Sequence, residues 1–309
     1  MRQTFIRTLL ELGEKNARIM LLTGDLGFTV VEPFAERFPE RFINAGVAEQ
    51  NMVGVATGLA ESKFIPFVYT IVTFATLRPY EFIRNGPVLH QSKVRIIGVG
   101  HGFDYGAAGV THHGLEDVGV MRIQPGMKVI IPADAEQARA AILETWDSPG
   151  PVYYGIGKEE KQTVPGLKGR FALGKAQVVR EGKDIAILTM GSVAFDAMKA
   201  AEVLHARGIE AKVVVVASLS PAPIDDLKEI LSSYRTVLTA EAQYITGGLG
   251  SLAAEVIADH GLACRLVRCG VKKSSGGVTG SRDYLHQLHG LSGEQIAETA
   301  QHELKASSR

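Results

Sequence analysis

Glu49 is the residue from which chemistry can start in this chain. It lies in the stretch NAGVAEQNMVGVATGLA, residues 44–60, with Val, Ala, Gly and Met around it. A carboxyl group with apolar neighbours can keep its proton and donate a hydrogen bond. Two readings fit that placement. Glu49 is either an acid that hydrogen-bonds a ring nitrogen of a cofactor or substrate, or a carboxylate at a helix N-terminus that offsets the macrodipole. Gly54 and Gly58, with Ala56 and Ala60, put small residues four apart on adjoining faces of the same predicted helix. Such spacing lets another backbone come close, either inside the domain or across a subunit contact.

The second chemically dense stretch is GHGFDYGAAGVTHHGLED, residues 100–117. Its glycines and its histidines, His101, His112 and His113, read as a loop after a strand, where parallel α/β sheets bind ligands. No carboxylate or thiol completes a recognisable metal set with these imidazoles, so they are read as contacts to a polar substrate and no metal ligand is assigned. Other motifs fail their tests. TGDLG (23–27) lacks the lysine and spacing of a nucleotide P-loop, and no G-x-G-x-x-G or G-x-S-x-G occurs where it would be needed. Cys264 and Cys269 match neither a metal nor a catalytic spacing and read as core or surface thiols. GGLG (247–250), at a helix start, reads as a tight turn in preference to an anion site.

The elements that must position these residues alternate. Short β-branched runs at 17–25, 94–100, 127–134 and 151–157 predict strands covered on both faces, with a helix over 136–147. The alternation resumes with strands at 184–192, 210–218, 235–242 and 264–271 and helices at 193–208, 224–234 and 247–261. This is an α/β chain of two domains, each a mostly parallel sheet flanked by helices. The charged, glycine-bearing tract between them carries no helical period. The expected division is a first domain over 1–165, a linker over 166–183 and a second domain over 184–309.

Composition narrows the function classes. Lys plus Arg and Asp plus Glu are equal at 33 each, so no basic excess points to nucleic acid and no acidic excess to a charged partner. Apolar runs such as IAILTM are too short to span a bilayer, and the amphipathic start MRQTFIRTLLELGEKN has no signal core. The expectation is a cytoplasmic protein without a membrane partner.

Taken together, these residues resemble the transketolase family of thiamine diphosphate enzymes. FINAGVAEQNMVGVATGLA is similar to that family's signature around its cofactor-activating glutamate, and TGDLG to its first strand-turn. The TF pair at 73–74 resembles its aromatic wall, and GVTHHGLEDVGVMRIQPGMKVIIPAD its substrate-loop histidine and following strand. TMGS, AEAQYITGGLG and GLSGEQIAE resemble its C-terminal domain more weakly. The similarity spans essentially the whole chain and corresponds to the pyrimidine-binding (second) and C-terminal (third) domains of a full-length transketolase.

The resemblance implies roles. Glu49 would hydrogen-bond N1′ of the aminopyrimidine and favour the imino tautomer that takes the proton from C2 of the thiazolium. Phe74 would stack on the pyrimidine, with Leu77 and Tyr80 completing that wall. His112 would contact the substrate's carbonyl and hydroxyl groups, with His113 and Asp25 counted among the substrate contacts. His101 would lie near the substrate's anionic or polar tail, and Lys158 where many relatives carry an arginine for a phosphate. Lysine there is a point charge in place of a bidentate fork. The family reads G-x-D-G-P-T-H where this chain reads GAAGVTH, so Ala108 stands in place of an aspartate that contacts a substrate hydroxyl.

One family motif is missing. Diphosphate and Mg²⁺ are held in the family by G-D-G followed by a distant asparagine, whereas the Gly24-Asp25 pair here is followed by leucine. The resemblance therefore implies half an enzyme. An N-terminal-half transketolase subunit with the G-D-G…N motif would hold most of the Mg²⁺ and diphosphate, in an α₂β₂ assembly or a multiple of it. The implied activity is transfer of a two-carbon ketol unit from a ketose, or ketose phosphate, to an aldehyde. The alternatives are a 2-oxo acid dehydrogenase E1 β subunit, a deoxyxylulose-phosphate synthase-like enzyme, or a non-catalytic regulatory or scaffold subunit.

Overall fold

Twelve short strands, most of them fully buried, build two sheets in the computed structural model, which describes residues 1–274 and 276–307. In chain order they are β1 (Ile19–Thr23), β2 (Phe42–Asn44), β3 (Ile65–Ile71), β4 (Arg95–Val99), β5 (Lys128–Ile130), β6 (Val152–Ile156), β7 (Gln177–Arg180), β8 (Ile185–Thr189), β9 (Ala211–Val215), β10 (Ser218–Ser220), β11 (Thr236–Tyr244) and β12 (Arg265–Val271). The first sheet runs β10-β5-β6-β4-β3-β1-β2 and the second β12-β11-β8-β9-β7. All pairings are parallel except β10 with β5 and β7 with β9. Strands such as β1, β4, β6 and β8 are buried at every position, as expected where helices cover both faces. The expected α/β architecture with two mostly parallel sheets is what the chain adopts.

Two expectations need correction. Residues 166–183, expected as a linker, contain β7, which pairs antiparallel with β9 and forms an edge of the second sheet. The run 210–218 does not end one strand. It holds β9 and then leaves its sheet, so that β10 joins the edge of the first sheet beside β5. Ser220–Pro221 is a cis peptide bond at the end of that strand. β3 was not expected from the pattern either, because it starts directly after the polar segment ESKF and carries Pro66 as its second residue.

The helix Glu49–Glu61 buries Glu49, Met52, Val53 and Ala56, a stripe with helical spacing. Ala56 belongs to that stripe, whereas Gly54 and Gly58 lie away from it, on the exposed side. A side chain at Gly58 would meet nothing within 4 Å, and one at Gly54 would find only Phe82 at 3.9 Å. The close backbone approach that this spacing permits is therefore not made inside the chain.

The domains share one core. Val68 and Ile96 of the first sheet belong to the same buried cluster as Leu188 and Val214 of the second. Among the described residues no helix is long and apolar enough to cross a membrane.

Candidate active site

The loops that follow the first sheet's strands gather at one end, around the point where β2 and β3 lie on opposite sides of β1. Open parallel sheets bind ligands at such a reversal. Glu49 comes from the segment after β2 and opens its helix. Its carboxyl lies over the end of β1, so that a Cβ on Gly24 would stand 3.4 Å from its Oε1.

Glu49 is 1% exposed, yet its surroundings are not the apolar cage that its sequence neighbours suggest. Nη1 of Arg78 donates to Oε1 at 3.1 Å and to Oε2 at 3.0 Å. A buried carboxylate left unpaired is strongly destabilising, and the guanidinium supplies the partner. Sequence reasoning missed Arg78. Its only signal was a cation four residues after Phe74, too common a spacing to single out.

Phe74 follows β3 on the short helix Val72–Thr76. The Arg78 guanidinium carbon sits over its ring, 3.7 Å from the centroid. Phe74 also meets His112 edge-on, with ring centroids 5.2 Å apart. Of the other expected wall residues, Leu77 is exposed. Tyr80 is tied elsewhere. Its hydroxyl donates to the Val120 carbonyl at 3.0 Å and accepts from Gln124, so that end of the side chain serves packing.

His112 is half-buried, and its Nδ1 lies 2.9 Å from Thr111 Oγ1. Tyr105, also missed from the sequence, follows at 6.3 Å between ring centroids. The Lys158 ammonium lies over the Tyr105 ring at 4.4 Å and donates to the Asp104 carbonyl at 3.3 Å. Glu49, Arg78, Phe74, His112, Tyr105 and Lys158 thus form one continuous line of contacts. Ala108 lies exposed on the same loop as His112. Asp25 is exposed but engaged, its backbone N–H and its Oδ1 both bonded to the side chain of Asn44.

The remaining two expected substrate contacts are placed differently. His101 is 3% exposed and bonds Asp117 Oδ2 through Nδ1 at 3.0 Å. Gln243 of the second domain donates to its Nε2 at 2.7 Å, and Tyr153 donates to the same Asp117 oxygen at 2.6 Å. His101 is a buried link between domains, and no face is left for a substrate tail. His113 is also buried, with Nε2 3.2 Å from the Gly106 carbonyl and its ring edge-on to Phe103. Adjacent histidines on a tight turn point different ways, and sequence alone does not tell which one faces the cleft.

The GGLG turn does bind an anion, but an internal one. Glu241 accepts N–H bonds from Leu249 and Gly250 at 2.8 Å each, at the start of the helix Leu249–His260. A Cβ on Gly248 would lie 1.9 Å from Glu241 Oε2, so only glycine fits. Burial pushes the Glu241 carboxyl up to about 7 against the lowering effect of these bonds. Cys264 and Cys269 are free thiols, and burial raises both. Among the described residues no group of three or more His, Cys, Asp or Glu could hold a metal ion.

Known proteins match this arrangement end to end. The transketolase pyrimidine-binding domain family matches residues 1–160, and the transketolase C-terminal domain family matches residues 174–296. The chain belongs to the transketolase family. A putative transketolase C-terminal section from Methanocaldococcus jannaschii is 37% identical over 308 residues, covering 99% of this chain and 96% of that protein. The 6-deoxy-6-sulfo-D-fructose transketolase subunit SqwH from a Clostridium species is 37% identical, covering 97% and 93%. A solved split-gene transketolase, described as an inactive β4 tetramer, superposes with a TM-score of 0.87 at 36% identity, covering 98% of this chain and 97% of that one. These transketolase relatives are sections or subunits of about this chain's own length. The resemblance read from the Glu49 and THHG segments therefore holds at the level of family, fold and split-subunit character.

Proposed function

We propose that this chain is the pyrimidine-binding and C-terminal subunit of a split, thiamine diphosphate-dependent transketolase, a transferase moving a two-carbon ketol unit from a ketose to an aldehyde. The observation that carries the proposal is the Glu49–Phe74 pair. A buried carboxyl and an aromatic face converge on one planar group, the Arg78 guanidinium, and a planar aminopyrimidine has the same two requirements. The residues present therefore fit that ring.

When bound, thiamine diphosphate supplies the carbon nucleophile that attacks a ketose carbonyl. This chain's residues would position and polarise it. Glu49 would hold the ring nitrogen N1′ and keep a proton at that atom, and Phe74 would stack on the ring. His112, edge-on to Phe74, would hydrogen-bond the substrate's carbonyl or hydroxyl oxygen from its half-exposed ring. Lys158 would offer a point charge to an anionic tail, screened by its exposure. His101 takes no part in that contact.

Mg²⁺ and the diphosphate are assigned to a partner chain with G-D-G…N, in a cytoplasmic α₂β₂ assembly or a multiple of it. That the relatives are described as a section or a subunit of a transketolase supports that reading. The test is ketol transfer by the purified chain, alone and mixed with the partner. Activity only in the mixture is expected. Robust transfer by the single chain would sink the split-subunit reading.

A further inference from the structure

The contacts of Arg78 carry a consequence for how this site is filled. Its guanidinium is planar, lies 3.7 Å over the Phe74 centroid, and sends Nη1 to both oxygens of Glu49. These are the two surfaces that the proposed function assigns to the aminopyrimidine. We propose that Arg78 is a built-in stand-in for the cofactor ring, holding Glu49 as an ion pair until thiamine diphosphate displaces it, with uptake of one proton by Glu49. The inference rests on the thiamine diphosphate reading of the site.

The proton follows from hydrogen-bond arithmetic. A guanidinium only donates, so the carboxyl facing it acts as an acceptor. The ring nitrogen N1′ only accepts, so the carboxyl facing it must donate, and must carry a proton to do so. Exchange of Arg78 for the ring therefore takes one proton from solvent onto a Glu49 oxygen and releases the guanidinium to water. The geometry permits the exchange. The Arg78 side chain is 41% exposed while that of Glu49 is 2% exposed, so the arginine can swing outward from a fixed acid. Arg78 lies between two short helices, Val72–Thr76 and Tyr80–Ile83, and its departure breaks no helical hydrogen bond. The ion pair also offsets the cost of burying the Glu49 carboxylate.

The experiment is calorimetry of thiamine diphosphate with Mg²⁺ binding to the assembled pair at pH 7, in phosphate and in Tris, whose ionisation heats differ. The readout is the number of protons taken up, compared between wild type and Arg78→Met. Wild type should take up about one proton more, because an unpaired buried Glu49 in the variant already carries its own. Arg78→Lys, which keeps the charge, should restore the uptake. Arg78→Gln is the second neutral variant should Arg78→Met not assemble. Equal proton counts in wild type and the neutral variants would overturn the stand-in. No binding of thiamine diphosphate by the wild-type pair would instead overturn the proposed function itself, so the two failures are distinguishable.

Discussion

Gln243, at the C-terminal end of β11 in the second domain, donates a 2.7 Å hydrogen bond to Nε2 of His101, on the loop after β4 in the first. Asp117 and Tyr153 complete that buried chain. Its members come from both domains, so it acts as a polar bolt between them. Removing one member leaves buried partners unsatisfied. His101→Leu should lower stability by about 2–4 kcal/mol while leaving the KM of the assembled enzyme unchanged. Denaturation of the chain, set beside steady-state kinetics, checks this. A raised KM with an unchanged melting temperature would return His101 to the substrate site.

His112→Ala should behave in the opposite way. The ring is half-buried at the cleft and hydrogen-bonds its own neighbour Thr111, so stability should change by less than about 0.5 kcal/mol. Ketol transfer should fall about 10²-fold as a positioning and proton-handling group is lost. Melting curves and kcat/KM on the same preparation separate this outcome from that of His101.

Glu49→Gln keeps the shape of the side chain but cannot exchange a proton. In the assembled enzyme, exchange of the C2 proton of thiamine diphosphate into D₂O, followed by NMR, should slow about 10²- to 10⁴-fold. Unchanged exchange would show that the acid near the ring is another residue.

Glu241 predicts a pH dependence of stability. Burial raises its carboxyl from 4.5 to about 7 in the folded chain, against the Gly250 and Leu249 N–H bonds. Between those values the folded state binds more protons than the unfolded state, so stability falls as pH rises through the window. The loss at full ionisation is on the order of 3 kcal/mol. Melting temperatures of the assembled enzyme from pH 5 to 8 should decline, and Glu241→Gln should flatten the slope. Parallel slopes for both proteins would refute the assignment.

Lys158→Met should discriminate between substrates. Its ammonium is held over Tyr105, next along the contact line from His112. A phosphorylated acceptor should lose about tenfold in kcat/KM, whereas its unphosphorylated counterpart should not change. Equal effects on both would mean that Lys158 serves the loop through Asp104 and does not read the substrate's charge.

Much of this protein is legible in the order of its residues. Buried strands announce themselves as β-branched runs, and β1, β4, β6 and β8 fall where those runs lie. Glu49, Phe74 and His112 were identifiable because each sits in a local motif whose spacing is set by one turn or one helix. The edge strands β7 and β10 were not. β7 and β10 are short, with polar residues at both ends, and β10 pairs with a strand of the other domain some ninety residues away. No local pattern records a partner that distant.

The same division runs through the site. Residue type and spacing determined the α/β class, the two sheets and the acid–aromatic–histidine set, because those depend on periodicity and turns within a few residues. Only the folded chain decided that Arg78 pairs with Glu49, that Tyr105 joins His112 to Lys158, and that His101 is a buried bolt between Asp117 and Gln243. Those outcomes depend on which loops meet at the ends of β1, β3 and β4 and on how the second domain closes over them. Hydrogen bonds and ion pairs are short-ranged, so they obey distances in space that the linear sequence does not contain.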